Sequence, residues 1–461
     1  MSATNTSLST KLFSRGVARA ASGEATVAGV PVTEIAQRFG TPVYVVDEMD
    51  ARGRAAEIRA AFDSAFTRIG TTATVYYAGK AFLCTEVARW MVEAGLGVDV
   101  ASGGELAVAL AAGVPPQKIG VHGNNKSRAE IDAAVSAGVG SIVIDSLVEI
   151  ERVAEAARRY GVTQPVRLRV NSGVHASTHE FLATAHEDQK FGLPITGAPA
   201  AVAAIRSHGS LRFLGLHCHI GSQIFAPEGF AESAARLLTL HRDLLTGGPV
   251  PELNLGGGFG IAYLESDDPP AIADLANQIA DTVRDTAAEL NIPLPVVAFE
   301  PGRAVIGSST LTLYTVGTIK PVELPEGGVR TYVSVDGGMS DNARPSLYNA
   351  EYTVRLVSRD SAADPLLIRL AGKHCESGDI LIYNDYLPSD IAADDLVAVP
   401  GTGAYCWSLS SNYNYLGRPP VVAVREGEAR LIVRGEGIAE LLSRDCGIPA
   451  GSIPATKRGE E

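Results

Sequence analysis

The chain has 461 residues, 46% of them hydrophobic, and a formal net charge of −13. That acidity argues against nucleic acid as a partner, since a phosphate backbone is bound through Lys and Arg, and no apolar run approaches the length of a membrane span. The five cysteines, Cys84, Cys218, Cys375, Cys406 and Cys446, follow neither metal-site spacing nor a disulfide framework, which suits a reducing compartment such as the cytoplasm.

A chain of this length is expected to hold two domains. The first twenty residues carry Lys11, Arg15 and Arg19, no acid and no apolar stretch of signal length. They read as a disordered tail, with a transit-type segment as the alternative. Residues 43–46 are strand-like. From about residue 74 to 303, short β-branched runs alternate with Ala-rich helical runs. The strand candidates are 74–78, 97–100, 118–121, 141–144, 166–170, 213–218, 252–255 and 296–299. Each is short and apolar, as a strand buried on both faces must be. Ser102/Glu105, Ser127/Glu130 and Ser146/Glu149 have the spacing of a capping box and place helix starts just after strand ends. Eight strand-then-helix units predict an α/β fold, a (β/α)8 TIM-type barrel; a doubly wound open sheet is the alternative.

After about residue 315 the texture changes. Runs at 315–322, 331–335, 366–370, 380–383, 396–399, 421–424 and 431–433 are separated by Pro, Gly and Asp, and 425–429 reads as a hairpin turn. This is a second, antiparallel β domain, which the N-terminal segment can complete. The expected boundaries are 1–47 for the segment joining the β domain, 48–315 for the barrel and 316–461 for the C-terminal β domain.

Barrel sites gather at the C-terminal ends of the strands. The first strand runs into Lys80, on one face with Tyr76 and Ala78 by alternation. No carboxylate lies beside Lys80 in sequence. A desolvated amine there can form a Schiff base with a carbonyl or with pyridoxal phosphate; the plainer reading is a lysine snorkelling off a strand end. The fifth strand puts Arg167, Arg169 and Asn171 on one face, where an arginine can bridge ionised groups or pair with Asp99.

The sixth strand ends in His217-Cys218-His219-Ile220-Gly221-Ser222-Gln223, with both imidazoles on one face. No clear set of zinc ligands accompanies them. His219 suits a place beside a flat cofactor ring, Ser222 a phosphate, and His217 the core. The seventh strand ends in Gly256-Gly257-Gly258-Phe259-Gly260, where backbone N–H groups can approach an anion and a following helix start would help. After the eighth come Glu300-Pro301-Gly302-Arg303: backbone at Gly302 and Arg303 can complete the anion cup, and Glu300 can face a ring nitrogen. In the β domain stand Asp336-Gly337-Gly338-Met339, Arg344, Tyr348, His374-Cys375-Glu376-Ser377-Gly378-Asp379 and Gly401-Thr402-Gly403-Ala404-Tyr405. Gly-rich stretches there are mostly turns, and Cys375 is equally readable as an inert thiol.

Taken together, these motifs resemble the fold-type III pyridoxal-phosphate decarboxylases over residues 30 to 440, the diaminopimelate branch most closely. The resemblance implies pyridoxal 5'-phosphate as cofactor and conversion of meso-2,6-diaminopimelate to L-lysine and CO2, the last step of lysine biosynthesis. It implies that Lys80 carries the cofactor, His219 stacks on its ring and Glu300 partners its nitrogen. Ser222, the segment containing Gly257, Gly258 and Gly260, and the backbone of Gly302 and Arg303 would hold the phosphate. Arg303, Arg344 and Tyr348 would hold the distal carboxylate of the amino-acid substrate, Glu376 its distal amine. Cys375 would donate the proton, and Tyr405 would touch cofactor and substrate. The resemblance further implies a homodimer with shared active sites. An ornithine or arginine decarboxylase is expected to carry an acid where Arg344 stands, and an alanine-racemase type an arginine opposite the ring nitrogen.

Overall fold

The computed structural model describes residues 8–174, 190–325 and 327–448. They fall into two compact units: one within Met1–Ala51, Ala262–Asp267 and Ile306–Glu461, the other within Arg52–Ile261 and Asp268–Val305.

The second unit is the barrel. Its strands are Ala73–Ala78, Gly97–Val100, Ile119–Val121, Ser141–Ile144, Gln164–Asn171, Leu211–His217, Glu252–Asn254 and Val296–Phe299. They pair in parallel in chain order, and the eighth closes on the first, Val297 opposite Ala73. That closure excludes the doubly wound sheet. All eight coincide with the short apolar runs, because residues facing the barrel interior and residues facing the helices are both removed from water. Helices follow the strands, among them Thr85–Glu93, Gly103–Ala111, Arg128–Ala137, Leu147–Tyr160, Glu228–Leu245 and Ile272–Leu290.

The three expected caps differ. Ser127 and Glu130 form a complete capping box. The Ser102 hydroxyl accepts the Glu105 N–H at 3.2 Å, but the Glu105 carboxylate reaches back to the Ala101 N–H instead. Ser146 caps nothing. Its partner Glu149 pairs with buried Lys126 at 2.9 Å and accepts the Asp145 N–H at 2.7 Å. A cap contributes about 1 kcal/mol, whereas a buried ammonium without a counter-ion costs several, so the ion pair takes the carboxylate.

Between barrel strand and outer helix, aromatic rings lock the end of the seventh strand. Phe62 stacks on Phe299 at 3.9 Å, and Phe259 stacks on Phe230 at 5.0 Å. Phe259 lies between two glycines of the run, so its burial holds an otherwise loose loop in place. Truncating it to Ala removes a buried ring and costs about 3–5 kcal/mol.

The first unit is built on a mixed sheet. Val43–Asp47, buried at all five positions, pairs antiparallel with Thr310–Glu323 and parallel with Val421–Arg425. Thr310–Glu323 also pairs antiparallel with Leu396–Pro400 and Val329–Val335. Val329–Val335 runs parallel to Pro365–Ala371, which pairs antiparallel with Ile380–Pro388. The sheet is therefore not purely antiparallel. Its two parallel pairs join strands far apart in the chain, which hairpin signals cannot reveal. The Val421–Arg425 and Glu428–Val433 hairpin turns at Glu426 and Gly427, both at positive φ (52° and 83°), as a two-residue primed turn requires.

The expected N-terminal tail is ordered over Leu12–Arg19. Leu12 and Phe13 lie in the hydrophobic core of this unit with Val43 and Leu313, and Val17–Arg19 pairs with Ala25–Val27. Residues 1–7 fall outside the described part. The segment Ala262–Asp267, which follows the seventh barrel strand in sequence, contributes Ala262 to the same core. Among the described residues, no helix is long and apolar enough to cross a membrane.

Candidate active site

The C-terminal ends of the barrel strands surround a cavity of about 380 Å³. The first strand stops at Ala78, and Lys80 sits in the single 3-10 turn Gly79–Ala81 that follows. Tyr77 ties this turn down by donating from its hydroxyl to the Phe82 carbonyl at 2.6 Å. Lys80 is exposed at the rim of the cavity rather than desolvated in the strand. An acid does lie within its electrostatic reach. Burial raises the Glu105 carboxyl, while its bond to the Ala101 N–H and the Lys80 charge pull it back.

Opposite stands Glu300. Its Oε1 accepts from Asn254 Nδ2 at 2.6 Å, and its Oε2 faces His217 Nε2 at 3.1 Å. His122 Nε2 lies 3.4 Å from Glu300 Oε1 and 3.4 Å from Asp99 Oδ1. Burial opposes the charge on Glu300, but His122 and His217 outweigh it and hold the carboxyl well below its usual range. Burial pushes His217 down to about 4, so its neutral ring donates from Nε2. Burial, then the Lys80 charge, also keeps His219 neutral. Its Nδ1 accepts the Gly257 N–H at 3.3 Å, which leaves the proton on Nε2 and a flat uncharged ring lining the cavity. The ligand-type atoms of His122, His217 and Glu300 lie within 4.8 Å of one another. Both Glu300 oxygens already have a partner, so the group reads as a cage of donors around a carboxylate.

The loops after the sixth, seventh and eighth strands form a backbone cradle. Ile224 and Phe259 make a parallel bridge, and the Gln223 side chain bonds both backbone groups of Ile261. Ser222 Oγ accepts from Arg303 Nη2 at 3.0 Å, which joins two of the residues expected at the phosphate. A Cβ on Gly257 would come within 2.1 Å of the Glu300 carbonyl; Gly258 has φ +111° and would meet the Gly221 carbonyl at 2.5 Å. Only glycine lets these three loops approach so closely. The helix expected to follow the glycine run directly begins only at Ile272, so the cradle rests on loop amides.

The remaining candidates lie in the β unit, where the structure gathers them. Arg344, 8% exposed, opens the short helix Arg344–Tyr348 and donates to Tyr263 Oη at 2.9 Å and Tyr352 Oη at 2.5 Å. Among the described residues no carboxylate lies within ion-pair distance of it. Tyr348 ends the same helix, 64% exposed. Ser346 Oγ donates to the Gly378 carbonyl at 3.0 Å and links this helix to the Cys375 loop. That loop presents Cys375 and Glu376 at the surface. Asp379 pins it by accepting the N–H groups of Met339 at 2.6 Å and His374 at 2.8 Å, and Asn414 Oδ1 accepts the Cys375 N–H at 3.1 Å. Tyr405 is held at φ +65°, a strained setting for a non-glycine residue, and its neighbour Cys406 contacts Tyr352 and Asn342.

The fifth strand resolves the roles of its arginines. Arg167 lies low in the barrel and pairs with Glu252 at 2.7 Å, not with Asp99. Arg169, one step higher, lines the cavity over the Phe191 ring at 4.3 Å. His122, Asn254 and Glu105 are functional candidates that motif spacing does not reveal. His122 follows the third strand, Ile119–Val121, directly, so the strand-end rule applied to strands five through eight finds it when applied to strand three.

Residues 55–307 match the family described as pyridoxal-dependent decarboxylase, pyridoxal binding domain. A diaminopimelate decarboxylase of Mycobacterium tuberculosis (strain H37Rv) is 52% identical over 445 residues, covering 95% of this chain and 98% of that one. The structure of diaminopimelate decarboxylase from M. jannaschii in complex with L-lysine superposes with a TM-score of 0.85 at 30% identity, covering 94% and 98%. The Helicobacter pylori enzyme complexed with L-lysine gives 0.79 at 26%, covering 89% and 98%.

Proposed function

The chain belongs to the diaminopimelate decarboxylases, within the pyridoxal-dependent decarboxylase family, and we propose from that premise that it converts meso-2,6-diaminopimelate to L-lysine and CO2. This is the last step of lysine biosynthesis. The observation that carries the reading is Glu300, a carboxylate kept ionised by its neighbours in the cavity that Lys80 also lines.

The barrel site fits pyridoxal 5'-phosphate: a glycine cradle admits an anion that side chains would block, and a neutral imidazole lines the space between it and the carboxylate. Bound there, the cofactor supplies a protonated pyridine ring that accepts the electron pair left by departing CO2. Lys80 would hold it covalently. Glu300 would keep a proton on its ring nitrogen, and His219 would stack against the ring. Ser222 and the backbone of Gly257, Gly258, Gly260, Gly302 and Arg303 would hold its phosphate, with Tyr405 beside it.

For the substrate, Arg303, Arg344 and Tyr348 would take the distal carboxylate and Glu376 the distal amine. A buried guanidinium that among the described residues is held by two phenols and no carboxylate supports an anionic guest, since an unpaired charge there is costly. A basic-amino-acid substrate would leave Arg344 unpaired. The Cys375 thiol returns a proton to the carbon that lost CO2. The active assembly is a homodimer in which the Cys375 loop of one chain serves Lys80 of the other, in the cytoplasm and without nucleic acid. Purified protein incubated with meso-diaminopimelate should release CO2 and L-lysine in equal amounts and leave lysine, ornithine and arginine nearly untouched. Efficient turnover of any of those three would move the substrate assignment.

A further inference from the structure

Two carboxylates line the barrel cavity, the buried Asp99 from the second strand and Glu300, its side chain 10% exposed, from the end of the eighth. Asp99 is 6% exposed and neither of its oxygens has a hydrogen-bond partner. Like charges this close in a pocket shielded from water do not both ionise unless a cation stands between them. His122 is in that place, 3.4 Å from each carboxylate and edge-on to His217 at 5.0 Å between ring centres. The other charged or titratable groups around it are spoken for or more distant. Tyr76 and Arg167 bond each other beneath it, and Arg167 belongs to Glu252. Arg169 leans on Phe191 and Asp145. Lys80 and Glu105 lie toward the rim, and His217 and His219 are neutral.

We propose that His122 is a positioning residue for the decarboxylation: fixed as an imidazolium between Asp99 and Glu300, it keeps Glu300 ionised and aimed at the ring nitrogen of the bound cofactor. This rests on the reading of Glu300 as the partner of that nitrogen. Burial alone would strip the proton from His122, but Glu300 and Asp99 more than reverse this and raise it to about 9. Asp99, pushed up by burial and then by Glu300, titrates near about 6 even with the imidazolium present. Without that charge both carboxyls titrate higher, so each holds a proton further into the neutral range.

The test is the pH profile of His122→Gln, with His122→Asn as a second variant. At pH 6.5, kcat should fall at least about tenfold, which corresponds to the required ionisation lying about one unit above that pH in the variant. As pH rises past the new ionisation toward 9, activity should recover to within about threefold of wild type, with KM for diaminopimelate nearly unchanged. The absorbance of the bound cofactor should gain a titration step between pH 6 and 8 that the wild type lacks, a readout independent of turnover. A purely structural role would lower activity or cofactor content equally at every pH, and that result overturns the inference. So does a variant whose profile parallels the wild type. Should neither variant fold, NMR of wild-type holoenzyme with ring-labelled histidine decides: one imidazolium must keep its proton at pH 8. Failure of the underlying reading looks different, because then Glu300→Gln itself retains turnover.

Discussion

Glu300→Gln removes one charge and almost no volume, and the cage around it sets the outcome. Both native oxygens accept, one from Asn254 and one from His217. A glutamine offers a single acceptor, so one buried donor loses its partner. Asn254 cannot turn its amide over to compensate, because its Oδ1 already accepts the Gly256 N–H at 2.8 Å. The fold should therefore lose about 1–3 kcal/mol, the cost of one unsatisfied buried donor. The kinetic loss should be larger: a neutral amide no longer holds a proton on the ring nitrogen, and about 4 kcal/mol of lost transition-state stabilisation is roughly a thousandfold in kcat. His122, with one carboxylate gone, should also titrate below its present value of about 9. The assay is CO2 release with the cofactor confirmed bound by absorbance, alongside thermal unfolding of the apo protein. A kcat within about tenfold of wild type, in a variant that binds cofactor normally, would refute the reasoning.

Four further outcomes are expected. Borohydride reduction and peptide mapping should place the pyridoxyl group on Lys80, and Lys80→Ala should bind cofactor only non-covalently and lose turnover; a label elsewhere removes Lys80 from its role. Mixing inactive Lys80→Ala with inactive Cys375→Ala should restore activity, because a mixed dimer keeps one intact site; no recovery after confirmed subunit exchange counts against sharing. Arg344→Lys should raise KM for diaminopimelate by about tenfold or more without loss of cofactor, because one ammonium cannot serve two phenols and a carboxylate in the plane a guanidinium offers; an unchanged KM refutes this. Asp341, in the β unit, is pushed up to about 7, first by burial, although Tyr314 and the Gly338 N–H pull it back. Its folded value lies above its unfolded one, so its contribution to stability declines as pH rises from about 4 to 7. Asp341→Asn, which mimics the protonated acid, should come closest to wild type at about pH 4 and unfold at a higher temperature at pH 8. A lower melting temperature at both pH values would show that the carboxylate form is preferred.

The barrel is legible in the sequence because strands buried on both faces leave continuous apolar runs, and because Ser127 and Glu130 cap a helix within four residues. Local chemistry of that kind survives in one dimension. The electrostatic cage does not, since Asp99, His122, Asn254 and Glu300 come from four strand ends spread over about two hundred residues and meet only when the barrel closes. Lys80 is recognisable by its place after a strand, but its acidic neighbour Glu105 is one helix away and invisible beside it. The same limit hides the parallel pairs of the β unit. It also hides Tyr263, which no pattern distinguishes from the barrel residues flanking it, although it belongs with Arg344.

Val43–Asp47 sits between two strands of the β unit, and this has a consequence for how the chain is made. Its antiparallel neighbour, Thr310–Leu313, leaves the ribosome about 260 residues later, and its parallel neighbour, Val421–Val424, later still. At about 5–20 residues per second, the first wait lasts roughly 13–50 s. Throughout that interval a five-residue segment, four of them β-formers, has neither of the edges it will bond. The barrel strands can pair in chain order meanwhile, but the closing eighth strand, Val296–Phe299, emerges only about ten residues before Thr310. Yield in a heterologous host should thus depend on what covers Val43–Asp47 during translation more than on the stability of the finished protein. Slower synthesis lengthens the exposure rather than relieving it.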